Sequence, residues 1–236
     1  MESAPVIEAR GLTKRYGALV ALRDVDLDVE PGESLAVFGP NGAGKTTLTR
    51  ILALSLKATS GTLRIAGHDP RVNDRETKGS IGYLSHQTFL YDDLTARENL
   101  LFFGRLYGAA SPEAKARALL DGLGLLDRAE DPVRTFSRGM QQRLSLARSL
   151  IHEPRIVFLD EPFTGLDPHA ATVLQTTLAR LREERRTLVV TTHDLARGLD
   201  LSDRFVILSK GSIVAQGRSE SVDRATFEQS YFGHVA

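Results

Sequence analysis

Two short stretches carry side chains suited to handling a phosphate chain. The first, Gly39-Pro40-Asn41-Gly42-Ala43-Gly44-Lys45-Thr46-Thr47, fits G-x-x-x-x-G-K-[ST]. Its glycines let the backbone bend until successive N–H groups point at one phosphate chain, and a following helix adds its positive end. Lys45 would reach the β- and γ-phosphates, and the Thr46 hydroxyl would take one position on Mg²⁺. The second stretch is Asp160-Glu161, at the end of an apolar run. An aspartate there suits Mg²⁺, directly or through water, and the adjacent glutamate could polarise a water at the γ-phosphate. Such a pair favours hydrolysis over transfer to a substrate hydroxyl, which requires water to be kept out. The chain is therefore expected to bind a nucleoside triphosphate. The loop alone leaves kinases, GTPases, helicases and transport ATPases open.

The elements that must position these residues follow from periodicity. Ser34 to Phe38 is a short apolar run that predicts a buried strand ahead of the loop. Behind the loop, Leu48, Ile51, Leu52 and Leu56 recur at helical spacing. Val6–Arg10, Ala21–Val29, Thr62–Ala66 and Ile81–Ser85 read as strands. From Thr95 the texture becomes helical: Thr95-Ala96-Arg97-Glu98 predicts a capping box, Ser111-Pro112-Glu113 a second helix start, and Gly139–Ile151 a third helix. After that, Ile156–Leu159 and Leu188–Thr191 read as buried strands around a helix from Pro168 to Glu184. Phe205–Leu208 and Ser212–Ala215 read as a hairpin turned at Lys210-Gly211. Apolar strands alternating with helices imply a parallel sheet covered on both faces. The tail from Arg218 to Ala236 carries no readable pattern.

Composition sets outer limits. The 236 residues contain 30 Lys and Arg against 30 Asp and Glu, so nothing global points to nucleic acid or anionic lipid. Cysteine is absent, which removes disulfides and thiolate chemistry. The first residues have neither a basic nor an apolar leader pattern, and no stretch approaches the roughly 20 apolar residues of a membrane helix. If the chain serves a membrane process, another chain must do the spanning.

Phe136-Ser137-Arg138-Gly139-Met140-Gln141-Gln142-Arg143 resembles the signature of ABC-type ATPases, commonly L-S-G-G-Q followed by Q-x-R. Further positions fall into that family's pattern in order. The resemblance implies that Tyr16 stacks on adenine and that Gln87 touches Mg²⁺ and the attacking water. It implies that Asp167 belongs to a loop crossing a dimer interface, and that His193 holds the γ-phosphate. Arg138 and Met140 depart from the common signature, while Ser137 keeps a hydroxyl and Gly139 an unobstructed N–H at a helix start.

The fold implied is an α/β P-loop NTPase. It has a RecA-like parallel sheet core, an N-terminal antiparallel β subdomain, and an inserted helical subdomain at 95–152 within a single ATPase domain of 1–236. ATP and Mg²⁺ are the implied ligands, with Glu161, His193 and Gln87 catalytic, and Thr46, Gln87 and Asp160 on the metal. ATP would lie between the phosphate loop of one copy and the signature of another in a head-to-tail homodimer. Integral membrane permease subunits would be separate chains, placing this one peripherally on the cytoplasmic face of the inner or plasma membrane. A soluble relative acting on nucleic acid or ribosomes would be expected to carry a basic patch or a second ATPase unit, so no nucleic-acid partner is expected. Glu98-Asn99-Leu100, Phe102-Phe103, Arg105-Leu106-Tyr107-Gly108, Ser137 to Met140 and Glu161-Pro162-Phe163 resemble the ATPase of the haem exporter of cytochrome c maturation. These features also occur in exporters of drugs, lipids and polysaccharides.

Overall fold

A computed structural model describes residues 4–72 and 74–235. Strands β1 (Ile7–Tyr16) and β2 (Leu19–Val29) form an antiparallel hairpin with Tyr16 opposite Leu19 at its tip. Both strands run further toward the turn than their apolar cores suggest, and that extension carries Tyr16 to the hairpin tip. Ile7, Ala9 and Leu12 on one strand and Leu22, Val25 and Leu27 on the other are buried, giving the small sheet one apolar face. β3 (Ser34–Phe38) is buried at every position, as a central parallel strand must be. It delivers the chain to the phosphate loop and α1 (Lys45–Leu52). β4 (Ser60–Ile65) returns to the other edge of β1, for the order β2-β1-β4. α2 (Asp74–Gly79), a single polar turn and a half that periodicity does not reveal, precedes β5 (Ile81–Leu84).

Between β5 and the next strand of the sheet come α3 (Ala96–Leu106), α4 (Pro112–Gly122) and α5 (Arg138–Leu150). α3 starts where the sequence says it should. Glu98 N–H donates to Thr95 Oγ1 at 3.1 Å, and Thr95 N–H donates to Glu98 Oε2 at 2.8 Å, completing the capping box. Asn99 is fully buried one residue later. Its Oδ1 accepts from Tyr91 N–H at 2.8 Å, and its Nδ2 donates to the carbonyls of Tyr91 and Thr95, both at 3.0 Å. That side chain fixes the connection from β5 to α3.

β6 (Ile156–Asp160), α6 (Pro168–Glu183), β7 (Thr187–Thr191), α7 (Leu195–Leu201), β8 (Arg204–Ser209), β9 (Ser212–Arg218) and α8 (Arg224–Val235) complete the chain. The large sheet runs β5-β6-β7-β3-β8-β9, all parallel except β9, which closes antiparallel on β8. One apolar cluster joins its first face to α1 and the small sheet, and another joins the opposite face to α3, α4, α5 and α6. The tail, which carries no readable pattern, folds as α8 and buries Phe227 and Tyr231 against Phe38 and Phe205. Among the described residues no helix is long and apolar enough to cross a membrane.

Candidate functional site

Three of the parallel strands end together, and their ends carry the polar groups. β3 leads into the phosphate loop, which turns under tight steric limits. A Cβ on Gly39 would stand 2.3 Å from the Leu208 carbonyl oxygen, and one on Gly44 (φ 108°) would stand 2.6 Å from that of Ala21. Only glycine fits either position. Lys45, the first residue of α1, is 7% exposed, and its Nζ donates to the carbonyls of Gly39 at 2.7 Å and Pro40 at 3.3 Å. The ammonium is thus held inside the loop.

β6 ends on Asp160, which is 1% exposed. Its Oδ1 accepts from Thr46 Oγ1 at 3.2 Å and from Thr191 Oγ1, at the end of β7, at 2.7 Å. Its Oδ2 is buried with no partner. An unpartnered carboxylate oxygen beside a hydroxyl is a donor set that suits a hard divalent cation. Among the described residues no three His, Cys, Asp or Glu side chains converge as a metal cage. The donors instead suit a cation that keeps phosphate oxygens and water in its shell.

Glu161 adopts φ 51°, a left-handed conformation costly for a residue with a Cβ. Its N–H is held by the Thr191 carbonyl at 3.0 Å, which keeps the side chain aimed along the strand ends. Oε1 lies 3.6 Å from Lys45 Nζ and Oε2 lies 2.8 Å from His193 Nδ1. The carboxylate thereby bridges the lysine of the loop and the histidine after β7. Glu161 is nearly buried, while the His193 side chain is 64% exposed.

A cleft of about 350 Å³ opens over this group, lined by Tyr16, Pro40, Asn41, Gly42, Gly44, Lys45, Thr46, Thr47 and Glu161. Leu19 to Ala21 and His86 also line it, and nothing in the local sequence marks them as site residues. Tyr16, 46% exposed at the hairpin tip, stands at the rim. Ala43 is buried beneath the loop. Gln87 follows β5 as an exposed residue whose carbonyl accepts from Ser85 Oγ at 2.7 Å; the cleft wall at this point is His86 instead.

Ser137, Gly139 and Asp167 form a second group that does not line the cleft. Ser137 caps α5, accepting from Met140 N–H at 3.3 Å, and Asp167 caps α6, accepting from Ala170 N–H at 2.9 Å. That hydrogen bond from Ala170 holds the Asp167 carboxyl below its ordinary pKa. The Arg138 guanidinium rests on Gly165, with Cζ 3.2 Å from where a Cβ there would stand. Gln142 Nε2 donates to the Pro162 carbonyl at 3.3 Å, so α5 is tied to the segment following Glu161.

Residues 22–164, most of the chain between β2 and the turn after β6, match the ABC transporter family. The chain belongs to that family. It is therefore an ABC transporter ATP-binding subunit and an ATPase. Similar proteins include the ABC transporter ATP-binding protein NatA of Bacillus subtilis (strain 168), 38% identical over 86% of this chain and 83% of that protein. The daunorubicin resistance ATP-binding protein DrrA3 of Streptomyces coeruleorubidus is 39% identical over 93% and 70%. The Nod factor export ATP-binding protein I of Ralstonia nicotianae (strain ATCC BAA-1114 / GMI1000) is 35% identical over 92% and 68%. A dimeric ATP-binding cassette solved in a post-hydrolysis state with ADP and Pi superposes with a TM-score of 0.82 at 27% identity, over 90% of this chain and 98% of that one.

Several of the residues that suggest a haem-exporting ABC ATPase have architectural contacts. Glu98 belongs to the capping box, Asn99 pins the preceding loop, Leu100 is buried, and Tyr107 stacks on His152 at 4.2 Å. Ser137 is a helix cap. None of these contacts carries information about cargo.

Proposed function

We propose that the chain is the ATP-hydrolysing subunit of an ABC exporter, acting as a head-to-tail homodimer on membrane subunits that are separate chains. The observation that carries this reading is the division of the polar residues into two groups. The cleft is lined by Lys45, Thr46 and Glu161, with the buried Asp160 bonded behind Thr46, while the capped turn at the exposed Ser137 and at Gly139 lies outside it. One copy leaves its cleft open, and a second copy turned head to tail would close it with that turn. ATP would then hold two copies together, and loss of the γ-phosphate would release them.

Within the cleft Tyr16 would stack on adenine, and the loop amides from Gly39 to Thr47, with Lys45, would hold the phosphates. Mg²⁺, when bound, would neutralise phosphate charge; Thr46 and Asp160 are placed to hold it, with Gln87 joining only if its exposed segment turns inward. Glu161, fixed between Lys45 and His193, would accept the proton of the attacking water, and His193 would move from Glu161 to the γ-phosphate.

For cargo we infer a drug, lipid or polysaccharide class rather than haem. The drug-resistance and Nod-factor-export roles of the similar proteins support that class, and Glu98, Asn99 and Ser137, which suggested haem, have structural duties. Deleting the gene and measuring retention of amphipathic drugs tests this. Restoration by the native chain, and not by Glu161→Gln, is the expected result. Lost holocytochrome c with unchanged drug retention would return the assignment to haem.

A further inference from the structure

We propose that α8 is a positioning clamp for the switch histidine: Phe227 acts through Phe38 and α7 to set where His193 stands relative to Glu161. This rests on the reading above that His193 acts on the γ-phosphate. His193 is largely exposed, and among the described residues its side chain is held by Glu161 Oε2 alone. Its position is therefore dictated by the backbone that carries it. That backbone enters α7 at once, where Asp194 caps the helix by accepting from Arg197 N–H at 3.0 Å.

α7 has only seven residues, too few to hold its own place without packing. It lies flush on Phe38, the fully buried residue directly before the phosphate loop. A Cβ on Gly198 would come within 2.2 Å of the Phe38 ring, and within 2.9 Å of Thr192 Cγ2, next to His193. α8 packs on the same Phe38 ring. Phe227 meets Phe38 edge-on at 5.6 Å between centroids and meets Phe205 at 4.8 Å. At the other end, the Arg224 guanidinium at the start of α8 pairs with Asp200 near the end of α7. Arg197 extends from α7 over the Phe163 ring, 5.1 Å from its centroid, in the loop that follows Glu161.

One side of α7 thus faces the residue before the phosphate loop, its end is tied to α8, and its first turn reaches the loop after the carboxylate. Tyr231 on α8 is buried in the same cluster. Burial, with a smaller push from the Glu161 charge, raises its phenol above the ordinary value. A displacement of Phe227 would release Phe38 and let α7 slide, moving the histidine without touching any residue that lines the cleft.

The test is a double-mutant cycle on the full chain, read as single-turnover ATP hydrolysis so that slow variants remain measurable. Phe227→Ala is expected to lower the hydrolysis rate about tenfold, the scale of a small misplacement, with nucleotide affinity within about twofold of native. Phe227→Leu, which keeps most of the apolar bulk, should recover most of the rate, separating loss of the packing contact from a general folding defect. In a His193→Ala background, Phe227→Ala should have no further effect. Independent, multiplicative losses would overturn the clamp, as would a loss of nucleotide affinity equal to the loss of rate. A His193→Ala variant that hydrolyses at the native rate would instead remove the histidine from the reaction, an outcome that the single variant reports by itself.

Discussion

Glu161 and His193 meet at 2.8 Å across the ends of β6 and β7 while the other Glu161 oxygen faces Lys45 at 3.6 Å. The carboxylate is therefore engaged on both sides before any nucleotide arrives. On the proposed reading, a bound phosphate would draw Lys45 and His193 toward the new anion and free Glu161 for water. The two groups of polar residues should then fail differently when altered.

Lys45→Ala should weaken nucleotide binding to a single copy, since the buried ammonium is built into the cleft. Ser137→Arg should leave that binding nearly intact and abolish nucleotide-driven association, since Ser137 lies outside the cleft. Fluorescent-nucleotide titration paired with light scattering separates these effects. Equal losses of single-copy affinity in both would contradict the head-to-tail arrangement.

The loop from Phe89 to Leu94 fronts a groove of about 560 Å³, lined in part by Tyr91, Phe103, Tyr107 and Arg148, where the membrane subunit is expected to dock. Tyr91 is 49% exposed, while its backbone is held by Asn99. Tyr91→Ala should therefore leave folding and ATP binding unchanged and uncouple ATPase activity from the membrane complex. Drug-stimulated ATPase activity in proteoliposomes measures this, and full stimulation of the variant would move the dock elsewhere.

Asn99→Ala should cost about 3 kcal/mol, because it strips partners from several buried backbone groups at once. The urea midpoint reports the loss directly. A cost below about 1 kcal/mol would mean that the loop relaxes to other partners.

His152 gives the stability a pH dependence of known sign. Burial is the main cause that depresses its pKa from 6.5, with Arg148, Arg186 and Lys115 adding to it; Nδ1 is buried without a partner, and Nε2–H donates to the Ile81 carbonyl at 2.9 Å. Below 6.5 the unfolded chain takes up the proton first, so this group's contribution falls as pH drops toward its folded pKa. Denaturant midpoints of native and His152→Gln proteins between about pH 7 and pH 5 should converge as the pH is lowered. Parallel curves would show that His152 titrates normally.

The central strands and the phosphate loop are legible in the sequence because their requirements are local. A fully buried strand must be apolar throughout, and Gly39 and Gly44 leave no room for a side chain. The capping box at Thr95 is legible for the same reason. α8 is not, because among the described residues Phe227 and Tyr231, four residues apart, are its buried side chains while Phe232 faces outward, and two residues make too thin a stripe to stand out. His86 enters the cleft through the path of the chain after β5, which no spacing rule encodes. Asn99 carries its meaning entirely in the backbone of a loop eight residues upstream, so in the sequence it resembles a family mark and in the fold it is a clamp.

The most direct measurement of the central claim is the solution mass of Glu161→Gln with and without MgATP, taken together with its turnover. Turnover should fall by roughly 10²-fold, the scale of lost general-base assistance. The mass should double when ATP is added and return to that of one copy when ATP is replaced by ADP. A chain that stays at the mass of one copy with ATP fully bound, or that hydrolyses at the native rate without the carboxylate, would contradict hydrolysis at a site shared by two copies.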